Sequence, residues 1–239
     1  MNSKNDLFLK ANVKKLFNSV SSSYNSINLI CSLGYSNRWR NRCIKNLPNN
    51  NNNILVADLM CGRGECWPAL FKKFPNAKLT AVDFSERMLA IAQKRNLNTF
   101  NNQIHLWHCD ILNTVFPKNH FDIVICAFGI KTISPSEIPA LTNSIYNMLK
   151  PGASFSIIDT SIPQNKIAAW CFRVYLKHFI PLIGKIFANN PHYDALYHYT
   201  QIFNNAQSIM PIFNAAGLSS QYFTYSGACV SGISGTKPL

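Results

Sequence analysis

The sequence predicts an α/β fold with a doubly wound, mostly parallel sheet of seven strands that ends in an antiparallel hairpin. Apolar strand-like segments alternate with segments of helical spacing from residue 54 onwards, and 47% of the 239 residues are hydrophobic. A chain of this length has room for one large domain, or at most two small ones, around a buried core. With only 14% charged residues, the composition excludes a disordered chain.

Five short, apolar segments predict the parallel strands, because a turn or a helix follows each of them. These segments are Ile54–Leu59, Lys78–Val82, Ile104–His108, Phe121–Ala127 and Ser154–Ile158. Helical spacing predicts helices at Trp67–Lys73, Glu86–Arg95, Ser136–Met148 and near Ala206–Ala215. The segments Gln221–Tyr225 and Val230–Ile233, separated by Gly227, predict the closing hairpin.

Two further regions flank or interrupt this alternation. Residues 1–47 have apolar side chains at helical spacing, which predicts two or three short helices that form an N-terminal lid. The asparagine-rich run Pro48–Asn53 is typical of a linker, so we expect the main domain at residues 48–239. Within that domain, residues 162–203 interrupt the alternation, and we expect a helical insertion there that binds the substrate.

The charge balance indicates an anionic partner. The chain has 23 Lys and Arg against 10 Asp and Glu, a formal net charge of +13. Nucleic acid and acidic lipid head groups are the two leading candidates. The basic residues are spread along the chain without an arginine-rich tract, so we expect membrane rather than nucleic acid.

The apolar stretch Ile167–Phe187, broken at Pro181, carries basic residues on one predicted helical face. Lys166, Arg173 and Lys177 recur at steps of seven and four residues, which suits a helix that lies on an anionic membrane. Packing of the apolar side into the core is the competing interpretation. Charges interrupt the longest apolar stretches and the N-terminus lacks a secretory pattern, so we expect a cytoplasmic protein, peripheral on the membrane at most.

No metal site is expected. The eight cysteines include no C-x-x-C pair, and His192 and His198 are six residues apart, unlike the helical zinc pattern. Free thiols in a reducing compartment are the favoured interpretation over a disulfide framework.

Half of the ten acidic residues lie where predicted strands end or in the first turn. Those at or just beyond a strand end, or in the first turn, are Asp58, Asp83, Asp110, Asp159 and Glu65. In an open parallel sheet, ligands bind at this edge. Gly62 and Gly64 let the backbone approach a ligand, and a carboxylate about 20 residues further on suits the two hydroxyls of a ribose. The pattern therefore predicts a nucleoside-containing ligand, with helix caps on a cofactor-free domain as the alternative.

Several motifs now resemble known families. V-A-D-L-M-C-G-R-G (56–64), L-T-A-V-D-F-S-E-R-M-L (79–89), H-C-D-I (108–111) and L-K-P-G-A (149–153) resemble class I S-adenosylmethionine-dependent methyltransferases, which have a Rossmann-like fold. The segments F-N-S-V-S-S-S-Y-N-S-I-N-L-I-C-S-L-G (17–34), R-W-R (38–40) and A-F-G-I-K (127–131) are similar to the ubiquinone/menaquinone C-methyltransferase family. Methyltransferases usually carry glycine at the position of Met60.

This resemblance implies S-adenosylmethionine as cofactor and assigns residues to it. The expected cofactor-binding residues are Asp58, Cys61, Gly62, Gly64, Asp83, Phe84, Met88, Asp110, Ile111 and Ala127. Asp58 would anchor the positive end of the methionine part, with Gly62 and Gly64 beneath that part. Asp83 would hold the ribose, and Asp110 would accept from the adenine amino group.

The resemblance also implies methyl transfer to an electron-rich ring carbon. Lys131 would stabilise the phenolate of the acceptor or relay its proton, although a surface lysine that caps the strand is equally compatible. Tyr24 is assigned to catalysis and Asn28 to the substrate, both in a lid that excludes water, with ordinary helix packing as the alternative. The expected substrate-contacting residues are Asn28, Phe128, Tyr193 and Tyr197.

We therefore expect an enzyme that C-methylates a lipophilic quinol or phenol. O- or N-methylation of a small natural product with the same cofactor is the alternative within the enzyme class. A basic RNA-binding protein or RNA methyltransferase is the alternative from another class, although no N-P-P-Y tetrapeptide follows the fourth strand. A homodimer is left open.

Overall fold

A computed structural model describes residues 4–49, 53–188 and 191–239, so residues 50–52 of the predicted linker lie outside the described residues. The described residues form a seven-stranded sheet in the order β3-β2-β1-β4-β5-β7-β6. Its strands are β1 (Leu55–Leu59), β2 (Lys78–Asp83), β3 (His105–His108), β4 (Phe121–Ala127), β5 (Leu149–Thr160), β6 (Ser219–Tyr225) and β7 (Val230–Thr236). Strands β1 to β5 pair in parallel, and β7 pairs antiparallel with β5 and β6, which confirms the predicted fold class.

Helices precede the sheet and cover both its faces. They are α1 (Lys4–Leu7), α2 (Lys10–Val20), α3 (Tyr24–Cys31), α4 (Tyr35–Lys45), α5 (Trp67–Lys73), α6 (Glu86–Thr99), α7 (Ile138–Met148), α8 (Lys166–Val174), α9 (Ile180–Ala188), α10 (Ala195–Phe203) and α11 (Met210–Ala215). The N-cap Ser85 accepts from the backbone N–H of Met88, as the sequence predicts for α6.

Strand β4 shows how the two faces of the sheet are filled. Its apolar side chains alternate between two buried clusters because successive residues of a strand point to opposite faces. Ile123 and Ile125 pack in the cluster that includes α4, α5 and α6. Val124 and Cys126 pack in the cluster that includes α7 and α11. A strand covered on both faces needs a continuous apolar sequence, as predicted.

The fifth strand begins earlier than predicted. Lys150, Pro151 and Gly152 suggest a turn before Ser154, but β5 already starts at Leu149, which pairs with Phe121. The register then shifts before Ile123 pairs with Ser154, so the sequence that resembles a turn forms an irregularity inside the strand.

The N-terminal region contains four helices among its described residues, where the sequence predicts two or three. Gly34, with φ of 80°, separates α3 from α4 in a conformation that favours glycine. Helix α2 covers the carboxyl edge of the sheet, with Lys10 Nζ 2.6 Å from an Asp110 carboxylate oxygen. Helix α4 contributes the buried Cys43 and Ile44 to the core. The lid and its boundary at residue 47 stay predictions.

The expected break at Pro181 is wrong. Residues Tyr175–Phe179 form a turn of π-helix between α8 and α9, and Pro181 lies in the first turn of α9. The π-helical turn next to the proline accommodates its missing N–H within a continuous helical segment. None of the helices in the described part of the chain is long and apolar enough to span a bilayer.

The inner hairpin strand has no room for a side chain at Gly232. A Cβ there would lie 2.3 Å from the Ile157 carbonyl oxygen and 2.5 Å from the Phe223 ring. We expect Gly232→Ala to lower the free energy of unfolding by about 2–3 kcal/mol, because neither neighbour can move freely. Urea unfolding measures this change.

Gly227→Ala is the matched control, because a Cβ at Gly227 meets no atom within 4 Å. Its φ of 63° still makes the alanine cost about 1 kcal/mol. Equal losses from the two substitutions would contradict the packing account.

Candidate active site

Three cavities follow one another along the carboxyl edge of the sheet. The largest, which we call the Lys131 cavity, lies among the N-terminal helices, the end of β4 and helices α8 to α10. Its wall is mostly apolar, and the polar or aromatic residues that line it include Tyr24, Asn28, Arg40, Phe128, Lys131, Thr160 and Tyr193. An apolar wall with a few polar groups is typical of a site for an organic molecule.

The other two cavities lie against the first two strand ends. The Glu65 cavity is lined by Tyr24, Arg40, Met60, Cys61, Gly62, Glu65, Asp83, Phe84, Met88, Ala127, Phe128 and neighbours. The Asp110 cavity is lined by Phe8, Lys10, Val13, Met60, Asp83, Phe84, Asp110, Ile111 and neighbours. Met60, Asp83 and Phe84 line both, so the two cavities adjoin, and Tyr24 and Arg40 also join the Glu65 cavity to the Lys131 cavity.

Most of the predicted cofactor-binding residues therefore lie together. Those that line the Glu65 or Asp110 cavity are Cys61, Gly62, Asp83, Phe84, Met88, Asp110, Ile111 and Ala127. Their individual roles remain predictions. The predicted turn also has Met60 in place of a glycine, at φ of 54°, which is the left-handed region that glycine adopts most easily.

Asp58 and Gly64 do not line these cavities. The Asp58 carboxylate accepts from the indole N–H of Trp67 at 3.1 Å, and burial raises the pKa of Asp58 to about 8. A Cβ at Gly64 would lie 2.4 Å from the Trp67 ring. Asp58 and Gly64 thus both lie against Trp67. Glu65, rather than Asp58, lines the cavity wall. Direct contact of Asp58 and Gly64 with a cofactor stays a prediction.

The carboxylates of the second and third strand ends are already held by the chain. Asp83 accepts from the backbone N–H groups of Gly62 at 2.8 Å and Ser85 at 2.9 Å, and burial raises its pKa to about 6. Asp110 accepts from Lys10. Each carboxylate has further lone pairs, so both can accept from hydroxyl or amino groups of a ligand.

Lys131 is buried beside the end of β4, which excludes a surface lysine. Its ammonium group lies 2.5 Å from an Asp159 carboxylate oxygen and 3.1 Å from the Phe128 carbonyl oxygen. Lys131 is 7% exposed and Asp159 is fully buried. A buried ion pair of this kind fixes the position of the cation at the cavity wall.

Phe128 and Tyr24 lie where the Lys131 and Glu65 cavities meet. Phe128 has φ of 66°, an unusual conformation for a residue with a side chain. Burial raises the pKa of Tyr24 to about 12, with the Arg40 charge opposing that rise. The Tyr24 phenol is therefore protonated well above neutral pH and can donate a hydrogen bond to a ligand.

One of the tyrosines predicted to contact the substrate does not line the Lys131 cavity. Tyr193 lines the Lys131 cavity together with Asn28, but Tyr197 does not. Tyr199, two residues further along α10, lines it instead. Residues two apart in a helix point about 200° from each other, so the two tyrosines cannot share a face. The hydroxyl of Tyr199 donates to the Leu7 carbonyl oxygen at 2.7 Å.

The candidate site residues above do not include Arg40, Glu65 and Asp159, although both acids stand out at strand ends. Arg40 shares the buried face of α4 with Ser36, Cys43 and Ile44. The sequence does contain a signal for Arg40. Arg40 lies four residues after Ser36 and four residues before Ile44, a spacing that puts all three on one helical face. One guanidinium nitrogen of Arg40 and one carboxylate oxygen of Glu65 are buried without a hydrogen-bond partner.

Comparison with known proteins agrees with this geometry. The model of the ubiE/COQ5 methyltransferase family matches residues 4–237. The demethylmenaquinone methyltransferase of Staphylococcus saprophyticus is 30% identical over 213 residues, 88% of this chain and 89% of its own. That of Lactiplantibacillus plantarum is 31% identical over 215 residues, 89% of this chain and 90% of its own.

Solved structures show the same fold. Phosphoethanolamine N-methyltransferase 2 of Haemonchus contortus, in complex with S-adenosyl-L-methionine, superimposes with a TM-score of 0.63 at 16% identity, over 84% of this chain and 53% of that one. The cavities fit S-adenosylmethionine, because carboxylates line one end and two oppositely charged groups, each with one unpaired buried atom, line the other. The chain belongs to the ubiE/COQ5 methyltransferase family and is an S-adenosylmethionine-dependent methyltransferase.

Proposed function

We propose that this enzyme methylates a ring carbon of a reduced, lipophilic naphthoquinone of the demethylmenaquinol type. The observation that carries the proposal is the Lys131 cavity, which adjoins the Glu65 cavity and combines an apolar wall with the buried Lys131 ammonium group, fixed in place by Asp159. A hydroquinone ring matches this combination, since its body is apolar and its ionised hydroxyl is an anion. The demethylmenaquinone methyltransferases among its relatives support the same acceptor class.

The chemistry asks little of the protein beyond positioning and charge stabilisation. S-adenosylmethionine supplies, when bound, a methyl group activated on a cationic sulfur. The hydroxyl proton of the acceptor would pass to water, which makes the ring carbon nucleophilic. The new carbon–carbon bond would form as the sulfur–methyl bond breaks and leaves S-adenosylhomocysteine, and loss of the ring-carbon proton to water would restore the aromatic ring. Lys131 stabilises the oxyanion through its charge. Asp159 positions Lys131 and keeps a cation at that point of the wall.

Tyr24 contributes as a donor in this proposal. Its phenol carries a proton at neutral pH, and burial, which raises its pKa to about 12, extends this to alkaline pH. It lines both the Lys131 and the Glu65 cavity, so it can hold an acceptor oxygen while the helix that carries it excludes water. Asn28, on the same helix, lines the Lys131 cavity one turn away.

The acceptor is tested with purified enzyme, isotopically labelled S-adenosylmethionine and a short-chain demethylmenaquinol. We expect a product one methyl group heavier, with the label on a ring carbon when the product is analysed by mass spectrometry and carbon NMR. The oxidised quinone is the matched control and is expected to stay unlabelled, because it has no ionisable hydroxyl.

Other labelled products would identify the competing functions. Label on an oxygen or a nitrogen of a small phenol or amine, with none on the quinol, would show the natural-product alternative. Label in RNA alone would show an RNA methyltransferase. Either result overturns the quinol proposal and leaves the cofactor assignment intact.

Lys131→Met is expected to lower kcat about 100-fold, because it removes the charge that faces the developing oxyanion. The affinity for S-adenosylhomocysteine, measured by titration calorimetry, is expected to stay within about threefold, since Lys131 does not line the Glu65 or Asp110 cavity. Initial rates at saturating cofactor give kcat.

Lys131→Arg is the matched control and should retain most of the activity, since it keeps the charge. The double variant Lys131→Met/Asp159→Asn removes the unpaired buried carboxylate that the single variant leaves, and should be as inactive while unfolding at a higher temperature. An active double variant would be evidence against a role for the cation.

We further propose that the enzyme is cytoplasmic and meets its acceptor at an anionic membrane surface, through what we call the apolar strip on α8, the π-helical turn and α9. The strip consists of Ile167, Trp170, Phe179, Leu182, Ile186 and Phe187, each more than half exposed. No acidic residue occurs between Asp159 and Asp194, whereas Lys166, Arg173, Lys177 and Lys185 do. Exposed apolar and basic residues on one helical segment suit an interfacial helix.

The apolar strip also borders the proposed acceptor site. Ile180 and Leu176 on the buried side of the same segment line the Lys131 cavity. A lipophilic acceptor that leaves a bilayer beside the strip therefore has a short apolar path to the cavity. A second copy of the chain is the competing occupant of the strip.

Sedimentation with vesicles tests this surface. We expect binding to vesicles that contain phosphatidylglycerol, and we expect Lys177→Gln/Lys185→Gln to weaken it about tenfold or more, since each lysine near such a surface contributes about 1 kcal/mol. Trp170→Ser should weaken it as well. Lys118→Gln and Val115→Ser, exposed positions between β3 and β4, are the matched controls.

Unchanged vesicle binding in the strip variants contradicts the membrane proposal. A protein that sediments as a dimer without vesicles, and becomes a monomer on Trp170→Ser, shows instead that a second copy covers the strip.

A further inference from the structure

Arg40 is a buried cation without an acidic partner among the described residues. It is 4% exposed, and its guanidinium carbon lies 5.0 Å from the centre of the Phe128 ring. One of its terminal nitrogens, Nη1, is buried and donates to nothing in the described part of the chain. A buried donor without a partner is costly, so its presence at a cavity points to a ligand that supplies the missing acceptor.

Glu65 shows the opposite arrangement on the same cavity. Its Oε2 accepts from the backbone N–H of Arg63 at 3.2 Å, whereas its Oε1 is buried and accepts from nothing that the structure describes. Both Arg40 and Glu65 line the Glu65 cavity, and both charges act on the Tyr24 phenol. The cavity thus offers one unused hydrogen-bond donor on a cation and one unused hydrogen-bond acceptor on an anion.

Three other charged groups near this cavity already have partners. Asp83 accepts from two backbone N–H groups, Asp58 accepts from Trp67, and Lys131 is paired with Asp159. Among the described residues that line the cavity, Arg40 is the one basic residue, and Glu65 is the acid with an unused buried oxygen.

We propose that Arg40 and Glu65 together recognise the amino-acid end of the cofactor. The guanidinium of Arg40 donates to the α-carboxylate, and the carboxylate of Glu65 accepts from the α-ammonium group. A zwitterion satisfies both orphaned groups at once, which neither a nucleoside nor a simple anion can do. This assignment does not depend on the identity of the methyl acceptor.

The pair also sets specificity at the cofactor site. S-adenosylmethionine and its demethylated product both carry the amino-acid end, whereas 5′-methylthioadenosine lacks it. A nucleoside without that end leaves both buried charges unsatisfied, so the enzyme rejects it although the Asp110 cavity is unchanged.

Titration calorimetry with truncated ligands tests the pair without measuring activity. The probes are S-adenosylhomocysteine, its decarboxylated analogue and its deaminated analogue. We expect the wild-type enzyme to bind the intact ligand about tenfold or more tightly than either analogue, because each loses a charge-assisted hydrogen bond. Equal affinity for all three ligands overturns the proposal and needs no variant.

Variants assign each charge to its partner. Arg40→Met should weaken S-adenosylhomocysteine about tenfold or more and leave the decarboxylated analogue within about threefold. Glu65→Gln should do the same for the deaminated analogue. Arg42→Met is the matched control, because Arg42 lies on the same helix over an aromatic ring, Tyr225, but is exposed and outside the cavity.

A variant that weakens the intact and the truncated ligand by the same factor overturns the assignment, since the loss then comes from the shape of the site. Unchanged affinity of Arg40→Met for S-adenosylhomocysteine overturns it as well. In that case, a higher KM for the quinol would show that Arg40 serves the acceptor instead.

Discussion

The parallel pairing of β1 with β2 and β4 is the constraint on which the whole site depends. In parallel strands the carboxyl ends meet at one edge, so Leu59, Asp83 and Ala127 end close together although the chain separates them widely. The turn after β1 and the residues after β4 therefore face one another. Phe128, at φ of 66°, lies where the Glu65 cavity meets the Lys131 cavity.

Charge placement gives this edge its chemistry. The chain has few acidic residues, and those at the edge bind specific partners: Asp159 holds Lys131, Asp58 holds Trp67, and Asp110 holds Lys10. Arg40 and Glu65 keep one unpaired atom each. Buried charges with partners are fixed in position, whereas an unpaired buried polar atom leaves a hydrogen bond that a ligand can make.

Much of the fold follows from the sequence, because strand and helix periodicities are local. Strand β4 and helix α5 begin and end where predicted, since apolar runs between clear turns leave little choice. The sequence Lys150–Gly152 predicts a turn before β5, but these residues lie inside the strand, where the register between β4 and β5 shifts. Pro181 misleads because the π-helical turn before it lets the helical segment continue past the proline.

The site is predicted less completely than the fold, for a physical reason. Motif residues on strand ends are recognised from local pattern, and eight of the predicted cofactor residues line the two adjoining cavities. Local pattern does not reveal the roles of Arg40, Glu65 and the Lys131–Asp159 pair, because these depend on contacts between segments that are distant in the sequence. Tyr199 replaces Tyr197 on the wall because the phase of α10 depends on its packing, not on composition.

The most direct test is a crystal structure of the enzyme with S-adenosylhomocysteine and a reduced short-chain naphthoquinol. The account predicts that the ligand's amino-acid end lies between Arg40 and Glu65. It also predicts the quinol ring in the Lys131 cavity, with one hydroxyl at Lys131 and one ring carbon towards the sulfur. A quinol bound outside that cavity, or a sulfur atom turned away from Tyr24 and Phe128, would contradict it.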